Sequence, residues 1–266
     1  MRKRIISGTI FGLVGLFAAV YPTFCAAVVT LLTFIALYEF FYMVEKKGVR
    51  LFVAFGLCVG TVIPITINYR FAVSEGRQFL FIIIALFMLF ILELTKKKTH
   101  QAILSISATT FGIIYISWCF SFLIRIRQFP GGAMLGLFLL VVTKSSDIGA
   151  YFWGRKYGKT PLIKRVSPKK SLEGSIGGFF TSLLSGLILV PLTPIIKDLM
   201  FVQNVFLIII LAILSQLGDL FESLIKRDCQ VKDSGKLLPG MGGVLDVIDS
   251  IIFTAPTFYL YLTMMR

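Results

Sequence analysis

Charge is scarce in this chain: 15% of its 266 residues are charged against 57% hydrophobic, and only thirteen are acidic. Together with a mean hydropathy of +0.89, that shortage excludes an ordinary soluble domain. No hydrophilic domain, low-complexity tract or internal repeat is visible. Cys25, Cys58, Cys119 and Cys229 show no CxxC spacing, and three of them lie in apolar runs. They read as buried small hydrophobes, not as zinc ligands or disulfide partners. The formal charge of +14 is spread as clusters between apolar runs, a pattern of membrane topology and not of nucleic-acid binding.

Long apolar runs are what the sequence has in quantity. With about 20 residues needed to cross the hydrocarbon, they give nine candidate spans, roughly 5–21, 23–43, 51–69, 78–95, 102–124, 131–152, 172–196, 201–222 and 244–264. The runs are too long and too little alternating for strands, so the expectation is an all-α polytopic membrane protein. The opening MRKR and the apolar run after it have the outline of a secretory signal, but the run's length and the second run close behind make it an uncleaved first helix. Segments 2–4, 46–50, 96–98, 155–170 and 226–236 carry twenty of the Lys and Arg residues and share one side if the helices alternate; the other side holds six. This predicts a cytoplasmic N-terminus, an external C-terminus and cytoplasmic loops at 153–171 and 223–243. Nine of the thirteen acids lie from Asp147 onward. Residues 1–130 therefore read as a scaffold of about five helices and 131–266 as the catalytic region, with Glu39 and Glu93 near helix ends read as snorkelling.

Chemistry is expected where acids meet apolar sequence. Lys144 and Asp147 stand three apart in the sixth run, close enough to pair on a helix, with Ser145 and Ser146 suggesting a wet cavity. Residues 154–160 imitate a phosphate loop, but the spacing between the glycines is one short and no strand precedes them. Ser171 is a plausible N-cap with Glu173 in the first turn, which puts a positive helix end beside Lys169 and Lys170 and makes a reasonable anion site. Gly174 and Gly178, like Gly132 and Gly136, form small-xxx-small faces for helix packing.

Asp219/Glu222 and Asp246/Asp249 repeat one i,i+3 spacing on the last two helices, which flank a charged loop ending in a flexible Pro239–Gly243 turn. Four carboxylates so close would repel, and one or two bound cations would resolve the conflict. With neither Cys nor His nearby, the donors favour Mg²⁺, while Lys226, Arg227, Lys232 and Lys236 point to phosphate. The same acids also allow an ion-coupled transporter, against which the crowded Lys and Arg argue.

These residues closely resemble the phosphatidate cytidylyltransferase (CDP-diacylglycerol synthase) family. Ser223, Lys226, Arg227, Lys232, Asp233, Gly235, Pro239, Gly240, Gly242, Gly243, Asp246 and Asp249 stand in register with its signature, and Asp147–Lys159 and Ser167–Gly178 match a second block. Met241 and Val247 replace the usual His and Arg. The resemblance implies transfer of CMP from CTP to phosphatidate, in a bacterial inner membrane with the active site facing the cytoplasm. It implies Mg²⁺ on Asp219, Asp246 and Asp249, with Glu222 beside them, and Lys226 and Arg227 in the catalytic group. Lys144, Asp147, Ser167, Lys169, Lys170, Glu173, Ser223, Lys232, Asp233, Gly242 and Gly243 would contact substrate. A second cation and a homodimer are compatible with it, as is a related CTP-dependent enzyme on another lipid.

Overall fold

A computed structural model describes residues 2–69, 75–96 and 101–265, with residues 2–7, 10 and 75–79 described by their backbone only. Of the basic residues used to orient the chain, those at 2–4 and Arg70, Arg77, Lys97, Lys98 and Arg266 lie outside the described residues and side chains.

The helices are α1 (Arg2–Val20), α2 (Pro22–Lys46), α3 (Val53–Asn68), α4 (Glu75–Leu94), α5 (Ala102–Gly112), α6 (Cys119–Arg127), α7 (Gly132–Tyr157), α8 (Leu172–Leu189), α9 (Phe201–Asp228) and α10 (Leu245–Met264). A π-helical turn, Ile113–Trp118, runs between α5 and α6 and makes them one rod. Among the described residues the nine apolar runs therefore correspond to nine rods. Among the described residues, six helices are long and apolar enough to cross a membrane, and Phe11–Val20, Val53–Asn68 and Leu80–Leu94 are shorter apolar pieces.

Apolar side chains point both inward and outward. Phe41, Phe120, Phe138 and Phe258 are fully buried, while Phe87, Leu184, Ile188 and Phe206 stand more than half exposed on the outer faces. An apolar outer surface of this extent is stable only against lipid. This is an all-α integral membrane protein. One apolar core runs through it from Ala18 and α2 to Leu262, without a break at residue 130. Cys25 and Cys229 are buried as expected and Cys119 is partly so, but Cys58 is exposed on α3.

Two sets of contacts mark the ends of the bundle. At one end Lys47 pairs with Asp228, the Ser105 hydroxyl donates to Arg50 O, and Arg227 Nε donates to Val166 O. At the other, Arg127 donates to Val20 O and Gln128 to Ile67 O. The basic segments 46–50, 155–170 and 226–236 thus have members meeting at the first end.

The most extensive contact between two helices is that of α7 with α8. A Cβ on Gly178 would lie 2.6 Å from Ser146 O, and one on Gly174 would lie 2.8 Å from Ala150 O, so only glycine allows this approach. Gly136 faces open space, and the packing face expected from Gly132 and Gly136 does not form there. Ser171 caps α8 by accepting from Gly174 N at 3.1 Å. Before it stands a small antiparallel hairpin that helical periodicity could not announce, β1 (Pro161–Ile163) with β2 (Ser167–Ser171). The glycine-containing stretch 154–157 is simply the last turn of α7.

Candidate active site

α7, α9 and α10 bring their polar faces together at the end of the bundle where the basic loops meet. Two adjoining charged clusters result. In the first, Lys144 Nζ donates to Asp147 Oδ2 at 3.0 Å, to Ser250 Oγ at 3.0 Å and to the Val247 carbonyl at 2.9 Å, tying α7 to α10. Asp219 on α9 is paired with Lys170, which β2 delivers. Asp249 is buried and accepts from Ser250 N at 2.6 Å; Asp219, Lys144 and Asp147 are the charges that act on it. Of Asp147, Asp219, Glu222, Asp246 and Asp249, it alone has no ion-pair partner among the described residues.

The second cluster lies one turn earlier on α10. Lys226 bridges Glu222, one turn before it on α9, and Asp246, whose Oδ1 lies 2.5 Å away. Glu222 is fully buried, and this ammonium is its counter-charge. Asp246 Oδ2 accepts from Ser234 N at 2.9 Å, from Ser234 Oγ at 2.8 Å and from Gly243 N at 2.7 Å. The loop between α9 and α10 is thereby folded onto the start of α10.

That loop is better ordered than a flexible glycine turn. Leu238 and Gly242 form a bridge, with Met241 N and Gly242 N both donating to Leu238 O. Gly242 has φ +99°, and a Cβ there would overlap Asp246 Oδ2, so no other residue fits without strain. Met241 and Val247, at the positions of the two departures, are absorbed structurally: Met241 in this turn, Val247 buried with its carbonyl accepting from Lys144.

The remaining expected site residues divide. Glu173 accepts from Lys159 N and Thr160 N at 3.1 Å, so it clasps the segment leading into the hairpin. Arg227 is occupied by the Val166 and Val231 carbonyls and fixes the same hairpin to the end of α9. Ser223 is buried, Ser167 is partly buried, and Lys169, Lys232 and Asp233 are exposed around the two clusters. Gln216, unremarked in the sequence, links Ser175 on α8 and Ser146 on α7 and continues the polar layer inward.

Glu39 is the largest correction. It does not snorkel. Its buried carboxylate accepts from Val244 N at 3.0 Å, Leu245 N at 2.9 Å and Ser234 Oγ at 3.1 Å, capping α10 from the other half of the chain. The available signal was negative: α10 opens on Val244, whose side chain cannot accept a hydrogen bond, so its first N–H groups needed a distant acceptor. Glu93 is also buried and paired with Lys96 at 2.8 Å.

Carboxylates outnumber ammonium groups here, with Asp147, Asp219, Glu222, Asp246 and Asp249 facing Lys144, Lys170 and Lys226. Among the described residues no three ligand side chains converge on one metal-binding point. The oxygen-only donors and the excess of negative charge nonetheless fit a hard divalent cation.

An all-helical bundle with this centre at the end of its membrane-crossing helices defines an integral membrane protein built to handle charged groups beside the bilayer. The chain belongs to the Cytidylyltransferase family, whose family model matches residues 2–265. It is 32% identical over 268 residues to "Phosphatidate cytidylyltransferase" of Bacillus subtilis (strain 168), covering 99% of this chain and 98% of the relative. It is 39% identical to the protein of the same name from Thermotoga maritima over 174 residues, 63% of each chain. Over 154 residues it is 43% identical to "Uncharacterized protein YnbB" of Escherichia coli (strain K12), 58% of this chain but only half of that one.

Proposed function

We propose that this protein is a CTP:phosphatidate cytidylyltransferase that makes CDP-diacylglycerol. The observation that carries this reading is the meeting of five carboxylates and three lysines from α7, β2, α9 and α10 at one end of a membrane bundle. Family membership and the nearly full-length match to the Bacillus relative support the same reaction. One substrate arrives from water, and the other keeps its acyl chains in lipid with its phosphate at the depth of the helix ends.

In the reaction a phosphate oxygen of phosphatidate bonds to the α-phosphorus of CTP. The bond from that phosphorus to the oxygen bridging to the β-phosphate breaks, and pyrophosphate leaves. The attacking oxygen is already ionised near neutral pH, so no strong base is required, consistent with Met241 in the turn. Lys170, whose partner here is Asp219, is positioned to exchange that carboxylate for phosphate oxygens, and Lys226 can turn from Asp246 Oδ1 toward phosphate while keeping Glu222; Lys169 and Arg227 are their neighbours in sequence. Lys144 holds α7 on α10, pairs with Asp147 and lies near enough to Asp249 for its charge to act there.

Asp219 and Asp249 are the donors we assign to Mg²⁺, with Asp246 offering Oδ1 while Oδ2 stays on the loop. When bound, the ion would screen the CTP phosphates and stabilise charge developing at the α-phosphorus. Glu222 stays with Lys226 as the neighbouring counter-charge.

We take the nine rods as nine crossings; the clustering of Lys and Arg in the loops at one end then supports a cytoplasmic position for those loops and this centre, in a bacterial inner membrane. Purified protein incubated with CTP, Mg²⁺ and phosphatidate should release pyrophosphate and CDP-diacylglycerol in equal amounts. Absence of both, in preparations that remain monodisperse, would overturn the reading.

A further inference from the structure

We infer that Glu39 is a positioning residue for the reaction, reaching from α2 to fix the start of α10 and with it the register of Asp246 and Asp249. The inference rests on the cytidylyltransferase reading, since those two acids matter only if the centre is catalytic.

Three features carry it. First, α10 has no cap of its own: Val244 is the N-cap and makes no side-chain hydrogen bond. Glu39 accepts from the N–H of the N-cap Val244 and from that of Leu245, the first helical residue, and a carboxylate there is favoured by the positive end of the helix as well as by the bonds. Asp246 lies in the same turn and Asp249 one turn on, so a change in how α10 begins moves both carboxylates.

Second, Glu39 and Asp246 are coupled through one hydroxyl. Ser234 Oγ lies 3.1 Å from Glu39 Oε2 and 2.8 Å from Asp246 Oδ2. Its proton can serve one carboxylate at a time, so the occupancy of one bond sets that of the other. Asp246 Oδ2 keeps Ser234 N and Gly243 N whichever way the hydroxyl points, and Oδ1 lies on Lys226 in this structure.

Third, the loop is shaped around this carboxylate. A Cβ on Gly235 or on Gly243 would overlap the Glu39 carboxyl group, which three donors and burial hold in place. Two glycines of the loop next to the centre are thus fitted to a side chain nearly two hundred positions away. Glu39 touches no substrate in this account; it acts through Asp246 and Asp249.

The test is steady-state kinetics on detergent-purified, monodisperse protein, with kcat expressed per folded molecule. Glu39→Gln keeps the size but presents an N–H₂ to groups that are themselves donors, so kcat should fall by about tenfold or more with KM for CTP within about twofold, the signature of a contact that matters in the transition state. Ser234→Ala should lower kcat by a smaller factor, about threefold, and the double variant should lose less than the product of the two because they act through one link. A Glu39→Gln protein with kcat within about twofold of the unaltered chain would sink the inference, even if its thermal unfolding were shifted. If Glu39→Gln does not fold, Ser234→Ala decides alone, and an unchanged kcat overturns the coupling. A lack of product from the unaltered chain would instead overturn the function on which the inference rests.

Discussion

The Lys226 ammonium stands 2.5 Å from Asp246 Oδ1 and also pairs with Glu222, so a single cation ties the end of α9 to the start of α10. Glu222 is fully buried and Asp246 nearly so, which makes Lys226 a neutraliser of two carboxylates at membrane depth.

Lys226→Met should therefore destabilise the fold strongly, because breaking a buried pair from one side leaves uncompensated charge, an effect of about 3–5 kcal/mol. Adding Glu222→Gln to that variant should restore part of the loss. Thermal unfolding in detergent reads both, and a double variant no more stable than the single one would count against this assignment.

Asp249→Asn is an isosteric exchange at the carboxylate of the centre that no ammonium pairs among the described residues. It should leave insertion and unfolding nearly unchanged while reducing CDP-diacylglycerol formation by about a hundredfold or more, the scale of losing one preorganised electrostatic contact in a transition state. Asp246→Asn should likewise abolish product formation while leaving membrane insertion intact; because Asp246 also holds Ser234 and Gly243, its unfolding temperature should fall as well.

Mg²⁺ should stabilise the protein independently of turnover. At a concentration of about 100 times its dissociation constant, a ligand bound only by the native state adds about 2.7 kcal/mol. A thermal shift on adding Mg²⁺ without CTP, lost in Asp219→Asn and in Asp249→Asn, is the expected result. An equal shift in those variants would place the ion elsewhere.

The α7–α8 contact gives a prediction free of catalysis. Gly178→Ala should cost about 1–3 kcal/mol, since the added methyl group meets Ser146 O and Ala150. Gly136→Ala, where a Cβ meets nothing, should be neutral or stabilising by up to about 1 kcal/mol, as expected when alanine replaces glycine in a helix. Unfolding temperatures of the two variants should move in different directions or by clearly different amounts.

Much of the site was legible in the sequence because it is carried by local spacing. Asp219/Glu222 and Asp246/Asp249 stand out as acids in apolar runs, Lys144 and Asp147 pair across one helical turn, and Ser171 caps the helix that follows it. Partners from remote segments were hidden. Lys170 could be counted as a basic loop residue, but its place on Asp219 required the hairpin to fold back over α9. Arg227 was expected at phosphate and Glu173 at substrate, but their backbone partners could not be read from the sequence: Glu173 accepts from Lys159 N and Thr160 N just before the hairpin, and Arg227 donates to Val166 O within it.

The sequence by itself determined that the chain is helical and lies in a membrane, because hydrophobic length and helical period act within about twenty residues of one another. It also determined where the chemistry-bearing acids fall, because ionisable groups in apolar runs are costly and therefore conspicuous. Tertiary structure alone decided which charges from remote segments neutralise each other, and it brought Glu39 across a separation of 205 residues to cap α10 at Val244. The uncapped N–H groups of α10 cannot be left bare in a buried setting. The acceptor that satisfies them is set by how α2 packs beside α10 and not by the residues that precede the helix.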